Sequence, residues 1–130
     1  MTSKYTFGKR VSMRFDEALS RVTSELGKEG FGVLTEIDVA ATLKKKLGKD
    51  IAPYRILGAC NPQFAHRALE VEPQIGALLP CNVVVRQDTG SDVIVEIMDP
   101  QAVLQLVDRD EISAIANEVR ARLARVLAAL

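Results

Sequence analysis

The residues of this chain that could do chemistry are two cysteines, one histidine and a few aspartates. Cys60 and Cys81 are the only cysteines, and His66 is the only histidine. Thiolate and imidazole ligands suit zinc, copper or iron, so these three side chains form one candidate metal site. They lack the paired C-x-x-C spacing of a typical zinc site. An enzyme that uses Cys60 and Cys81 in thiol chemistry is an alternative use of the same residues.

Each of these side chains also has a structural role that would account for it. Cysteine often packs in protein cores as a small hydrophobe. His66 falls outside the apolar stripe of its predicted helix, towards Gln63 and Glu70, which predicts an exposed side chain. The sequence has no serine elbow and no Cys-His-Asn signature, so it does not favour a hydrolase.

Three polar residues directly precede helical patterns: Asp38, Asn61 and Asp99. Each can cap a helix, and Pro62 after Asn61 is typical of a first helical position. A helix N-terminus also presents free N–H groups and partial positive charge, so the end after Asn61 is a candidate site for an anion or small molecule. Asp38 or Asp99 would supply oxygen ligands to a metal. Capping is the simpler role for all three.

The apolar pattern predicts five strands and several helices that position these residues. The helices follow the first strand, Asp38, Asn61 and Asp99, and a long one ends the chain. A turn at residues 88–92 joins the last two strands into a hairpin. The predicted strands cover residues 5–11, 31–37, 54–60, 81–87 and 93–98.

This order of elements predicts a two-layer α/β (α+β) sandwich, a mixed five-stranded sheet with helices mainly on one face. A right-handed parallel crossover between the second and third strands would bring Asp38 and Cys60 to one rim. A fourth strand antiparallel to the third would add Cys81, and the hairpin would return Asp99 there. Ligands favour such rims. We therefore expect Asp38, Cys60, Asn61, Cys81 and Asp99 to share a ligand site.

Length and charge limit the classes of partner. A chain of 130 residues suits a single domain spanning residues 1–130. Lys and Arg total 17 and so do Asp and Glu, which leaves no broad basic surface for nucleic acid. The basic run at residues 44–46 most simply forms a solvated helix face.

The same sequence predicts a cytoplasmic protein. No apolar run is long enough to span a bilayer, and the first residues lack the pattern of a secretory signal. Two cysteines without an export signal indicate reduced thiols. A sheet covered by helices on one face only would leave an apolar face bare, so we expect a homodimer.

Three ordered motifs carry a resemblance to a known family: residues 30–38 (GFGVLTEID), 54–62 (YRILGACNP) and 78–85 (LLPCNVVV). Together they resemble the family known as domain of unknown function 302, from about Ser12 to the last helix. The resemblance implies a compact two-layer sandwich, usually met as a dimer, in bacterial and archaeal proteins. It implies no activity, cofactor or catalytic residue. The predicted function is thus small-ligand or metal binding at the rim, with a thiol enzyme or a dimeric interaction module without catalysis as alternatives.

Overall fold

The computed structural model describes residues 2–130 and contains the five predicted strands. Helices begin after Asp38, Asn61 and Asp99, as predicted, and short 3₁₀ segments cover Pro73–Leu78 and Gln105–Val107. In chain order the strands and α-helices are β1 Thr6–Val11, α1 Phe15–Lys28, β2 Gly32–Asp38, α2 Val39–Leu47, β3 Tyr54–Cys60, α3 Pro62–Val71, β4 Cys81–Gln87, β5 Val93–Met98, α4 Pro100–Leu104 and α5 Asp110–Ala128.

The strands form one sheet in the order β1-β5-β4-β3-β2, and all four neighbouring pairs are antiparallel. The α/β fold class is confirmed, but the expected mixed sheet and parallel crossover are wrong. β2 and β3 pair antiparallel, with Gly32 opposite Cys60 and Asp38 opposite Arg55. A parallel connection needs an element that packs across the sheet, whereas α2 buries no residue and only returns the chain to the end it left.

The core lies between the helices and one face of the sheet. Along β4 the side chains of Cys81, Val83 and Val85 are buried while Asn82 is exposed, as the alternation of a strand requires. The buried apolar side chains of α1 and α5, such as Val22 on α1, recur at helical spacing and pack in the same core as these β4 residues. Ala68 of α3 and Leu104 of α4 belong to the same cluster, so helices α1, α3, α4 and α5 and one sheet face build a single apolar core.

The opposite face of the sheet is partly polar. Arg86 Nε donates to Glu96 Oε1 at 2.6 Å across β4 and β5, and Asn82 is exposed beside them. The apolar patch that we expected on this open face is therefore interrupted by an ion pair. Within residues 2–130, no helix has the length and apolar character needed to cross a membrane.

Candidate ligand-binding site

An apolar cavity of about 380 Å³ lies where β2, β3 and the start of β4 meet α3, α4 and α5. This volume falls within the range of small-molecule sites. None of the residues that line it has a charged side chain. The larger side chains of its apolar lining include Phe31, Leu34, Phe64, Leu69, Leu104 and Ile115.

A larger groove of about 670 Å³ follows the turn between β1 and α1. Its lining includes the exposed, charged side chains of Arg14, Asp16 and Glu17. None of the candidate site residues lines this groove, and it lacks the enclosed apolar walls that small ligands favour. The smaller cavity is therefore the better candidate site.

Three of the predicted site residues, Cys60, Asn61 and Cys81, line the cavity. Cys60 and Asn61 follow one another at the end of β3, and Cys81 begins β4 opposite Ala59. The antiparallel pairing of β3 and β4 brings the three together, as the sequence predicts. Each arrives from a strand end, so the rigid sheet fixes their spacing.

Asp99 lies at the same end of the sheet but does not line the cavity. Its Oδ1 accepts a hydrogen bond from Gln101 N at 2.9 Å and so caps α4. Arg120 Nε donates to its other oxygen at 3.3 Å. Both oxygens therefore have partners within the fold, which accounts for this aspartate.

Asp38 does not lie at the rim where the expected parallel crossover would have placed it, because β2 and β3 pair antiparallel. It lies opposite Arg55, five residues before Cys60 on β3, which puts it about 17 Å from Cys60 along an extended strand. Its Oδ1 accepts from Ala41 N at 2.9 Å, and Arg55 lies 3.2 Å from its Oδ2. Asp38 caps α2 and takes no part in the cavity.

His66 is also separate from the cysteines. Its side chain is 76% exposed on α3, with Nδ1 3.3 Å from Glu70 Oε1 one turn later. The expected metal set of Cys60, His66 and Cys81 does not assemble, because the polar face of α3 turns His66 away from the core. Across the described part of the chain, no three His, Cys, Asp or Glu side chains are grouped to hold a metal ion.

Asn61 is the one buried polar residue among residues 2–130, with 8% of its surface exposed. Its Oδ1 accepts from Phe64 N at 3.5 Å, which caps α3. Its Nδ2 forms no hydrogen bond with any described residue, and this atom is not fully buried. Asn61 lines the cavity, and an amide nitrogen without a partner can donate to a bound molecule that reaches it.

Gly30 makes room for this amide. The residue has φ of +86°, a left-handed conformation that favours glycine, and a Cβ there would lie 3.0 Å from Asn61 Nδ2. The turn lets the chain pass from α1 to β2 and brings Phe31 into the cavity lining. Gly30, which follows α1, thus also shapes the site.

The two cysteines are free and form no disulfide bond. Burial raises the pKa of Cys60 above its ordinary value. Burial, with a smaller effect from nearby Cys60, raises the pKa of Cys81 to about 11. A thiol whose pKa is raised is a poor nucleophile and a poor metal ligand at neutral pH, because both roles need the thiolate.

Two arginines hold one wall of the cavity in place. Phe64 on α3 has the guanidinium of Arg67 5.3 Å from its ring centroid and that of Arg122 5.1 Å away. Arg122 Nη1 also donates to Glu29 O at 3.1 Å, which ties α5 to the end of α1. No local sequence pattern links Arg122 to Phe64 on a distant helix, so the sequence does not predict this contact.

Exposed leucines mark the mouth of the cavity. Leu34 on β2 is 67% exposed and Leu69 on α3 is 42% exposed, and both belong to the cavity lining. Sequence reasoning did not find this pair, since Leu34 lies at a break in the β2–β3 register that only the pairing reveals. The mouth is therefore apolar and open.

Comparison with known families decides which family this fold represents. The family model described as "Domain of unknown function DUF302" matches residues 7–130. The chain belongs to the DUF302 family. Among solved structures, this DUF302 chain is similar to the crystal structure of an uncharacterized conserved DUF302 protein from Bacillus stearothermophilus, with 32% identity, 98% of each chain covered and a TM-score of 0.90. A search of curated proteins finds no match.

Proposed function

We propose that this DUF302 protein binds a small, uncharged and largely apolar molecule in the cavity beside Asn61. The observation that carries the proposal is the uncharged lining of a cavity large enough for such a molecule. Moving apolar surface from water into these walls is favourable by roughly 25 cal/mol per Å². A charged ligand would lose its hydration there without gaining a counter-charge.

The free amide nitrogen of Asn61 supplies the polar contact. Because Oδ1 is occupied in capping α3, Nδ2 is left to donate to an acceptor on the ligand, such as a carbonyl or ether oxygen. One buried donor among apolar walls is the usual way in which such sites orient a ligand. This narrows the earlier small-molecule or anion prediction to an uncharged molecule with at least one acceptor.

The raised pKa values of the cysteines do not favour the alternative of a thiol enzyme. The separation of His66 from Cys60 and Cys81 likewise removes support for a metal ligand set. Two free thiols in one site do suit a reducing compartment, and we propose the cytoplasm as the place of action.

Titration with the uncharged fluorescent dye N-phenyl-1-naphthylamine tests this function. We expect saturable binding by the wild type and at least about tenfold weaker binding by Ala65→Phe, whose ring would fill the cavity. The matched control is Ala41→Phe, which adds the same ring on the exposed side of α2. Equal binding by the two variants would refute the cavity as the site.

A further inference from the structure

The cavity brings together aromatic and sulfur-containing side chains that are scarce in this chain. The whole sequence has two cysteines and four phenylalanines. Both cysteines, Cys60 and Cys81, line the cavity, and so do Phe31 and Phe64. The uncharged walls are therefore not uniform hydrocarbon, because phenyl rings and sulfur atoms are more polarisable than the leucines and alanines around them.

Both phenyl rings are held in place by the fold. Phe31 is 5% exposed, and its backbone N–H donates to Leu26 O at 2.9 Å at the end of α1. The ring centroid of Phe64 lies 5.3 Å from the guanidinium of Arg67 and 5.1 Å from that of Arg122. Because these contacts restrict both rings before a ligand binds, a contact with either ring costs little conformational entropy.

Fixed phenyl rings favour an aromatic ligand. Two aromatic rings pair in offset-stacked or edge-to-face arrangements and gain free energy beyond that of the area they bury. A saturated ring of the same size buries a similar area but lacks this additional gain. Phe31 and Phe64 therefore discriminate between two ligands that hydrophobic burial alone would hold about equally.

The sulfur atoms of the cysteines act in the same direction. Cys60 ends β3 and Cys81 begins β4, so the two thiols reach the cavity from neighbouring strands. Sulfur is polarisable and makes favourable contacts with aromatic rings. This gives the two free thiols a part in ligand selection that needs no thiol chemistry.

We propose that the cavity selects aromatic molecules over aliphatic molecules of equal size and polarity, with Phe31, Phe64 and the two cysteines as the residues that determine this selectivity. The inference rests on the proposed function and narrows its ligand class from a largely apolar molecule to an aromatic one that carries an acceptor. The mouth of the cavity suits such a molecule, since Leu34 and Leu69 there are exposed and uncharged.

Two ketones of matched size test the selectivity. Acetophenone and cyclohexyl methyl ketone are both uncharged, have the same number of non-hydrogen atoms and carry the same carbonyl acceptor. The saturated ketone has the larger apolar surface, so hydrophobic burial alone would not favour the aromatic one. In ¹H–¹⁵N NMR titrations of the wild type, we expect acetophenone to bind about 3- to 30-fold more tightly.

Phe64→Leu tests the contribution of the aromatic wall. The substitution keeps an apolar side chain and removes the ring, so the ratio of the two affinities should fall by at least about twofold. Phe15→Leu is the matched control, because Phe15 lies on α1 in the other groove, and its ratio should equal that of the wild type. A cavity that is merely distorted would bind both ketones more weakly and leave the ratio unchanged.

Cys60→Ser tests the contribution of sulfur. Cys60 is the less buried of the two cysteines, so replacing its sulfur by oxygen disturbs the core less than the same change at Cys81. We expect the ratio of affinities to fall by about 1.5- to 3-fold, as one sulfur–aromatic contact allows.

The outcomes separate this inference from the proposed function. Equal affinities of the wild type for the two ketones would overturn the selectivity and leave ligand binding intact. A wild-type ratio that persists in both Phe64→Leu and Cys60→Ser would overturn the assignment of these side chains. If neither ketone nor N-phenyl-1-naphthylamine binds, the proposed function itself is overturned.

Discussion

The two polar side-chain atoms of Asn61 differ in their contacts: Oδ1 caps α3, and Nδ2 has no hydrogen-bond partner among the described residues. The sequence predicts the capping role from Asn61-Pro62 alone, because capping is a local interaction. The free donor could not be predicted, since it depends on Gly30 and on a cavity formed by distant elements. The exposure of His66 could also be predicted, because it depends only on the position of the residue around the axis of α3.

Replacing Asn61 by serine should separate its two roles. Asn61→Ser keeps an oxygen that can cap α3 but loses the amide donor. For the wild type, we expect 2-acetylnaphthalene to bind about 2- to 10-fold more tightly than 2-ethylnaphthalene, as one neutral hydrogen bond allows. In Asn61→Ser, isothermal titration calorimetry should give nearly equal affinities. A preference for the acetyl compound that survives the substitution would contradict the role of Nδ2.

Cys81 should make stability fall at alkaline pH. Its folded pKa of about 11 lies above the value of about 8.5 in an unfolded chain, so its contribution is complete below pH 8.5 and lost as pH rises towards 11. In that window the free energy of unfolding should fall by up to about 1.4 kcal/mol per pH unit from this group.

Urea unfolding at a series of pH values checks this slope. Cys81→Ala should have a shallower alkaline slope than the wild type, even though the variant is less stable overall. Cys60→Ala, which keeps the more buried thiol, should retain most of the slope. Identical slopes in all three proteins would show that burial of Cys81 does not perturb its titration.

At the scale of elements, alternation and capping predict where the strands and helices lie, but not how the strands pair. The connection from β2 to β3 shows why. A helix between two strands favours a parallel crossover in which the helix packs on the sheet. In the structure α2 buries no residue. The sequence does not predict this exposure, because it depends on tertiary contacts. Because β2 and β3 pair antiparallel, Asp38 lies at the opposite end of β3 from Cys60. The β3–β4 pairing agreed with expectation and kept Cys60 and Cys81 together.

Gly58 on β3 should prove essential for the contact between β2, β3 and the segment before β4. A Cβ there would overlap Thr35 Oγ1 and lie 2.9 Å from Pro80 Cγ, and both neighbours line the cavity. We expect Gly58→Ala to lower the free energy of unfolding by about 1–3 kcal/mol, because overpacking forces its neighbours to move.

Gly32→Ala is the control for this prediction. Gly32 lies on β2 with nothing within 4 Å of an added Cβ, so the change should be close to neutral. Urea unfolding of both variants gives the comparison. Equal losses of stability would mean that a general effect of alanine in these strands, rather than crowding at Gly58, is responsible.

At the scale of the whole molecule, the motifs in residues 30–38, 54–62 and 78–85 were enough to predict the family, and the α/β class followed from the order of elements. The cavity was beyond such reasoning. Its walls come from three strands and three helices, so its volume and uncharged lining exist only after packing. The position of β2 at the edge of the sheet likewise emerges only when the strand order is known.

The most direct test of the central claim is a two-dimensional ¹H–¹⁵N NMR titration of the wild type with N-phenyl-1-naphthylamine. If the cavity binds the dye, the largest amide shift changes will cluster at Phe31, Cys60 and Ile115, which surround it. Shift changes confined to the open sheet face, at Tyr54 and Val84, or no saturable change at all, would contradict the proposed site.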